Sequence, residues 1–458
     1  MEELDYFLSQ IRDWIWSAPL LLFLLGTGVY LTFLLKGVQF RYLGYACKQV
    51  VARQQQNSKG DIGHFQALMT SLAGAIGTGT IVGVATALTI GGIGSIFWMW
   101  VAAFLSMATK YAESLLAVKY RQVDKNGEMA GGPMQYMEQG LGWKGIAGLF
   151  ALLGMVAAIS TGNLVQANSI AAAISHVWNI DPWITSIFLF IFTLIVIVGG
   201  VKTIGNVASI LVPIMALFYI GAACYILAVN FQEIPAAFRL IIHSAWNGQA
   251  ATGGFLGSTI MMAIQMGVAR SVFSNEAGLG ISSIAAAAAK TDSPARQALI
   301  TMTGALISTV IVCTMTGLVL AVTRVVGTTT ATGEMLNGAS LAIAAFNAHI
   351  TGGEYVVTIG LVLFAYTTIV AWSYYGEKCC EYLFGDRSIT FYRLLFALAV
   401  IPGAVLKMDI SWYLADISNG LMIIPNLVAL IALSKILKEE TESFLAAADC
   451  EKDILVKK

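Results

Sequence analysis

Between Ala75 and Gly83 the sequence reads AIGTGTIVG, inside a stretch from Phe65 to Ala108 that carries no charged residue. Three glycines with two threonines among them are poor material for a helix interior, because each Gly costs about 0.5–1 kcal/mol relative to Ala. A helix broken here ends near Ile76 with carbonyls left over and restarts near Thr80 with amides at the positive end of a dipole. Such carbonyls can hold a small cation and such amides a carboxylate. Thr78 and Thr80 add hydroxyl oxygens. The same small residues also suit close helix packing of the GxxxG kind, so the stretch alone leaves both uses open.

Four other groups of residues could do chemistry with it. GSTIMMAIQMGVARSVFSNEAGLG, Gly257 to Gly280, is again interrupted near its middle, by Gln265, Gly267 and Arg270. FAYTTIVAW places the hydroxyls of Thr367 and Thr368 side by side; a hard cation takes such oxygens, although threonines in membrane helices also bond back to their own carbonyls. STGNLVQANS offers Asn163, Gln166 and Asn168 as neutral acceptors for an ammonium group. Asn163 and Gln166, three apart, share a helix face, but amides in a membrane helix equally serve a neighbouring helix. Gln265 is a further acceptor. Trp372, one turn after Thr368, could cap a small side-chain pocket, and Phe273 is a weaker candidate because an aromatic in a span more often packs. Glu113 lies three residues from Lys110, and Glu276 six from Arg270. Both read as ion pairs toward the inner ends of their spans, forming an inner gate or merely tying helix ends. No carboxylate is expected at mid-depth, which argues for sodium over protons and for a substrate of zero net charge.

The elements that must position these residues are membrane helices. Of 458 residues, 57% are hydrophobic and 11% charged, where a soluble domain has about a quarter charged. At about 20 apolar residues per span, eleven spans are expected, near 15–35, 65–90, 93–118, 146–176, 182–200, 207–229, 254–275, 297–322, 355–376, 390–406 and 412–434. Breaks in corresponding spans of two five-span halves point to an inverted repeat. The repeats would be 65–229 and 254–434, with 15–35 as an extra span and 435–458 as a solvated tail of mixed Glu and Lys, in a single transmembrane domain. The segment Met1–Asp13 is net acidic, the wrong sign for a secretory signal.

Twenty of the 26 Lys and Arg residues fall on one set of loops and the C-terminal tail, against Arg12, Arg239, Arg324 and Lys407 on the other set. The bias places the N-terminus outside and the C-terminus in the cytoplasm. No cysteine falls on an outside loop, so no disulfide framework is expected. HExxH, GxSxG and Walker A motifs are absent, which leaves no catalytic constellation for a membrane enzyme. A channel would want a charged or carbonyl-rich ring, and none is seen. No basic block suggests nucleic acid as a partner. The Gly-rich NGEMAGGPMQYM, Asn126 to Met137, lacks the Lys-Ser/Thr ending of a phosphate loop and reads as structural or gating.

GDIGHFQALMTSLAGAIGTGTIVGVA, FWMWVAAFLSMATKYAE, NGEMAGGPMQYM, FSNEAGLGISSIAAAAAKTDSPARQAL and FAYTTIVAWSYYGEK resemble the alanine or glycine:cation symporter family, from about Gly26 to Leu433. The resemblance implies an all-α fold like that of the bacterial leucine transporter and sodium-driven uptake of alanine and glycine across a prokaryotic cell membrane. It implies that the amides of Thr78 and Gly79 hold the substrate carboxylate. It also implies that the carbonyls of Ala73 and Ile76 face sodium, with hydroxyls from Thr367 and Thr368. A proton-coupled transporter or an exchanger on the same fold is the alternative.

Overall fold

The computed structural model describes residues 2–51, 59–247, 259–329, 333 and 335–456. Arg53, Lys457, Lys458 and the start of the 254–275 segment lie outside them, as do the side chains of Cys450 and Lys452. The described chain is helical apart from one two-residue hairpin, Gln122–Val123 paired antiparallel with Met129–Ala130.

The helices that matter for the site run as follows: α1 Glu2–Ile15, α2 Ala18–Leu34, α3 His64–Ala75, α4 Val82–Gly91 and α5 Ser95–Lys119. Then come α6 Lys144–Trp178, α7 Pro182–Val198, α8 Gly200–Val229, α9 Ile234–Asn247, α10 Ile260–Asn275, α11 Ser283–Ala287 and α12 Pro294–Val322. The chain closes with α13 Gly338–Asn347, α14 Gly353–Phe384, α15 Ile389–Val405, α16 Met408–Ala432 and α17 Ser434–Val456.

Seven of these, α5, α6, α8, α12, α14, α15 with the turn before it, and α16, are long and apolar enough to cross a bilayer; α1 and α2 add an eighth if that pair, bent by 41°, is one span. The other expected spans appear in shorter pieces. The 65–90 segment is split into α3 and α4 by a single turn of 3-10 helix, Thr78–Thr80. The 182–200 segment is the 17-residue α7, about 25 Å long at 1.5 Å per residue. Helices also appear between the expected spans, among them the amphipathic α9, the short α11, and α13, which packs on α4 and α14.

The broken helices sit at the centre. The first pair, α3 and α4, packs against α8, α10 and α14, while α10 lies along α5. Their residues are almost wholly buried, including Thr78, Gly79 and Thr80. The outer helices carry the opposite pattern. Along α7, Ile184, Ile187, Phe188, Ile191, Phe192 and Ile195 are all exposed, as a lipid-facing surface requires. At one end of the molecule α1 lies on α16, with the Trp16 indole N–H donating to the Asp416 carbonyl at 2.9 Å. At the other end the hairpin is clamped. Arg121 donates to the carbonyls of Ala287 and Ala289 at 2.8 and 2.6 Å, and buried Lys378 pairs with Asp124 and Glu381 at 2.9 and 2.8 Å. The Gly-rich loop therefore ties α5, α11 and α14 together.

Helix α6 contains one wider, π-helical turn at Ser160–Leu164, where Gly162 lies against the Trp372 side chain of α14. A Cβ at Gly162 would overlap that indole, and overpacking of this kind costs about 1–3 kcal/mol. Gly162→Ala is expected to lower the thermal unfolding midpoint of the detergent-solubilised protein. Gly145→Ala on the same helix, where a Cβ meets nothing within 4 Å, should leave the midpoint unchanged.

Candidate functional site

The site is built from the two breaks. In the first, the last regular bond of α3 runs from the Ile76 amide to the Leu72 carbonyl at 2.7 Å. The carbonyls that follow are released. The Thr368 hydroxyl reaches across from α14 and donates to the Ala73 carbonyl at 2.8 Å; it also stands 3.0 Å from the Phe364 carbonyl and 3.5 Å from that of Gly74. Four oxygens thus converge, the type of donor set a hard cation takes. Ile76 is fully buried at the end of α3, beside this group. Thr367 does not join it. Adjacent helix residues point about 100° apart, so its hydroxyl turns onto the Leu363 and Phe364 carbonyls at 3.1 and 3.0 Å and against the Met215 sulphur of α8.

On the amide side, the Thr78 N–H donates to the Gln166 side-chain oxygen at 3.1 Å, and the Gln166 amide nitrogen donates to the Thr161 carbonyl at 3.0 Å. Thr80 closes the turn on itself, its hydroxyl donating to the Gly77 carbonyl at 2.8 Å. Its own carbonyl accepts the Thr316 hydroxyl at 2.8 Å. Glycine is needed for approach at two points. A Cβ at Gly77 would come within 2.5 Å of the Thr368 hydroxyl, and one at Gly79 within 2.6 Å of the Phe273 ring. Phe273 stacks at 4.8 Å on Trp412, and Trp412 lies under the Arg270 guanidinium, 4.7 Å away. Arg270 in turn pairs with buried Asp416 at 2.7 Å. These four side chains form a lid over the break on the α1 side.

The second break lies later than the sequence suggested. Gln265, Gly267 and Arg270 sit in continuous helix, and α10 ends only at Asn275. The chain then turns through Glu276, Gly278 and Gly280 at φ +60°, +88° and +75°, a left-handed region that favours glycine. Glu113 caps the turn, one carboxylate oxygen accepting the Gly278 and Gly280 amides at 2.8 and 3.1 Å and the Asn426 amide at 2.7 Å. Lys110 donates to the Asn275 carbonyl at 2.8 Å.

Several sequence expectations are therefore corrected. Arg270 pairs with Asp416 rather than with Glu276, and Glu113 takes backbone amides rather than an ion pair with Lys110. Glu113 and Glu276 are buried beside the breaks, so the expectation of no central carboxylate fails. Asn163 and Gln166 are separated by the π-helical turn. Gln166 faces the break, while the Asn163 amide donates to the Phe396 carbonyl at 2.6 Å. Asn168 donates to the Gly403 and Leu406 carbonyls at 3.3 and 2.6 Å, beyond the break. Gln265 lines a cleft of about 490 Å³ with Arg12, Asp13 and Trp16. Gly267 lets α10 lie on α5, since a Cβ there would be 2.6 Å from the Ser95 carbonyl. Thr78, Gly79, Thr80, Gln166, Phe273, Trp372, Ala73, Ile76 and Thr368 are brought together.

The model of the sodium:alanine symporter family matches residues 1–458. The chain belongs to that family. It is 51% identical over 441 residues to the sodium/alanine symporter AgcS of Methanococcus maripaludis, covering 95% of this chain and 96% of that protein. The amino-acid carrier protein AlsT of Bacillus subtilis is 33% identical over 426 residues, 93% of this chain and 88% of that one. Among solved structures, MhsT in complex with L-phenylalanine superposes with a TM-score of 0.56 at 13% identity, over 86% of this chain and 100% of that one. The fold is thus that of the bacterial leucine transporter class, as the resemblance implied. The chain is a multi-pass membrane transporter, an amino-acid:cation symporter, and not an enzyme.

In this symporter the sequence reading missed Asp416, Asn426 and the capping role of Glu113. Asp416 carried a signal, as an acid within an apolar span, which is functional by default. The roles of Asn426 and Glu113 exist only in the tertiary fold.

Because only Thr368 of the adjacent pair touches the Ala73 and Gly74 carbonyls, Thr368→Val is expected to raise the concentration of the coupling cation for half-maximal uptake by roughly tenfold or more, about 1.4 kcal/mol. Thr367→Val should change it less than about threefold, about 0.6 kcal/mol. Initial uptake rates titrated with the cation at constant ionic strength check the difference.

Proposed function

We propose that this chain is a sodium-coupled importer of small zwitterionic amino acids, alanine and glycine, working by alternating access in the cell membrane. The observation that carries the reading is the Thr368 hydroxyl on the Ala73 carbonyl at the break, with the Thr78 and Gly79 amides on the other side of that break. Sodium takes the carbonyls of Ala73 and Ile76 with the Thr368 hydroxyl; the substrate carboxylate takes the amides, displacing the Gln166 oxygen from Thr78. Phe273 lies against Gly79 and Trp372 against Gly162, and bulky rings this close to the break suit a small substrate side chain.

The eleven-span arrangement, with its two five-helix repeats, an outside N-terminus and a cytoplasmic C-terminus, belongs to the same reading. The lid of Phe273, Trp412, Arg270 and Asp416 is then the outer gate, and the Arg121–Lys378 clamp on the hairpin the inner one. The contacts of both are formed in this structure.

Coupling has a measurable size. A zwitterion with one sodium moves one charge, and 100 mV supplies about 2.3 kcal/mol. A tenfold sodium gradient adds about 1.4 kcal/mol, for on the order of 500-fold accumulation in total. Alanine uptake into proteoliposomes should require sodium and rise when a potassium-diffusion potential makes the interior negative. Uptake driven equally well by a proton gradient without sodium, or indifferent to the potential, would refute one-for-one sodium symport.

The carboxylate site has its own test. Gly79→Ala places a Cβ where Phe273 and the substrate approach, whereas at Gly83 a Cβ meets the Arg270 side chain at an ordinary 3.5 Å. Alanine binding should fall sharply in the first variant and little in the second. Alanine amide, which lacks the carboxylate charge, should fail to compete with alanine in the wild type.

A further inference from the structure

Glu276 is fully buried at the second break, and neither of its carboxylate oxygens accepts a hydrogen bond. Among the described residues it is the only acid of which both oxygens are buried and unpartnered. A carboxylate in that condition is costly unless a cation completes it. Its setting shows where the cation would come from. The side chain faces the first break, for a Cβ at Gly74 would lie 2.7 Å from Oε1, so only a glycine lets α3 pass. The Trp372 indole N–H stands beside the carboxylate without closing a hydrogen bond.

The surrounding charges form no ion pair with it. Arg270 is matched by Asp416. Lys110 lies near both Glu113 and Glu276, one cation for two acids, and donates to the Asn275 carbonyl. Glu113 is held by two backbone amides and Asn426. Of the two acids that share Lys110, Glu276 is the one to which no group donates a hydrogen bond. The backbone makes the same point. Glu276 adopts φ +60°, a conformation that costs a non-glycine residue energy, in a turn that uses glycine at 278 and 280. The position tolerates strain to keep a carboxylate.

We propose that Glu276 is the acceptor for the ammonium group of the transported amino acid. The proposal rests on the preceding functional reading and adds a charged acceptor to the neutral ones, since Asn163 and Asn168 are anchored through their amide N–H groups to the carbonyls of Phe396, Gly403 and Leu406. Gly74 passes directly against Glu276, and the Thr78 amide follows across the break at the end of the same helix. An α-amino acid carries an ammonium group for the first point and a carboxylate for the second. An analogue without the ammonium group leaves Glu276 unpaired, and a buried polar group left unpaired is a strong basis for rejection.

The test compares L-alanine with L-lactate, which replaces the ammonium by a hydroxyl, as competitors for radiolabelled alanine at saturating sodium. Wild type, Glu276→Gln and Glu276→Asp are compared, and the thermal shift produced by sodium alone is recorded for each. The expected result is that wild type prefers alanine by more than about a thousandfold. Glu276→Gln should weaken alanine by about thirtyfold or more, a change of roughly 2 kcal/mol, leave lactate unchanged or improved, and keep the sodium shift. Glu276→Asp should recover part of the preference. If Glu276→Gln proves unstable, Glu276→Gly, which relaxes the φ +60° turn, carries the same comparison. An unaltered alanine-to-lactate ratio overturns the proposal, as does loss of the sodium-only shift with the ratio intact, which would make Glu276 a ligand for a second sodium. A wild-type protein that binds no alanine with sodium overturns the functional reading itself, an outcome separate from either.

Discussion

Backbone amides and carbonyls cannot be left unpaired at the depth of a bilayer, where each such group costs several kcal/mol. A helix interrupted there must borrow partners from its neighbours, and the centre of this protein is organised around that demand. The first break borrows the Thr368 hydroxyl from α14, the Gln166 amide from α6 and the Thr316 hydroxyl from α12. The second borrows the Glu113 carboxylate from α5 and Asn426 from α16. Five helices are thereby held in register by the repair of two short segments, and each lender is a buried polar side chain that would be a liability elsewhere.

The same demand explains how a break can serve as a carrier site. In the proposed reading, the groups that satisfy it here hold the places that cargo would take. On that reading the Gln166 oxygen on the Thr78 amide takes the place of a substrate carboxylate oxygen, and the Thr368 proton on the Ala73 carbonyl that of the cation. Hydrogen bonds to charged groups are worth about 1.5–3 kcal/mol against about 1 for neutral ones. Exchange of the protein partner for an ionic one is therefore favourable without unfolding anything. Cargo and side chains compete for one set of backbone groups, so occupancy and helix packing are linked.

The first break was legible in the sequence because its cause is local: glycine and threonine where a helix interior wants alanine or leucine. The second was misplaced by about ten residues. Gln265, Gly267 and Arg270 look like an interruption when read as polarity, but each is accommodated by tertiary surroundings, Gly267 against α5 and Arg270 on Asp416. The true turn, at Glu276 to Gly280, is marked by two glycines at left-handed φ. The pair Thr367–Thr368 was read as a unit, which helix geometry forbids. Asn163 and Gln166 were read as one face, which the wider turn of α6 undoes. Capping of a helix break by an acid on another helix leaves no local trace at all.

The N-terminal helix acquires a role from the same geometry. The lid depends on Asp416 meeting Arg270 between α16 and α10, and opening it requires those helices to part or that pair to separate. Trp16 holds the backbone carbonyl of Asp416 itself, and the Ile15 side chain fills the space above Gly420, where a Cβ would collide with it. Arg12 lies over the Tyr413 ring at 4.8 Å. Three consecutive turns of α16 are thus gripped by the end of α1 on the helix that carries the acid of the lid. Any motion of α16 away from α10 moves α1 with it, or costs the Trp16 hydrogen bond and the apolar contacts around it. The end of α1 is therefore packed on the helix that carries the acid of the lid, and the chain bends by 41° between α1 and α2, which lies against α5.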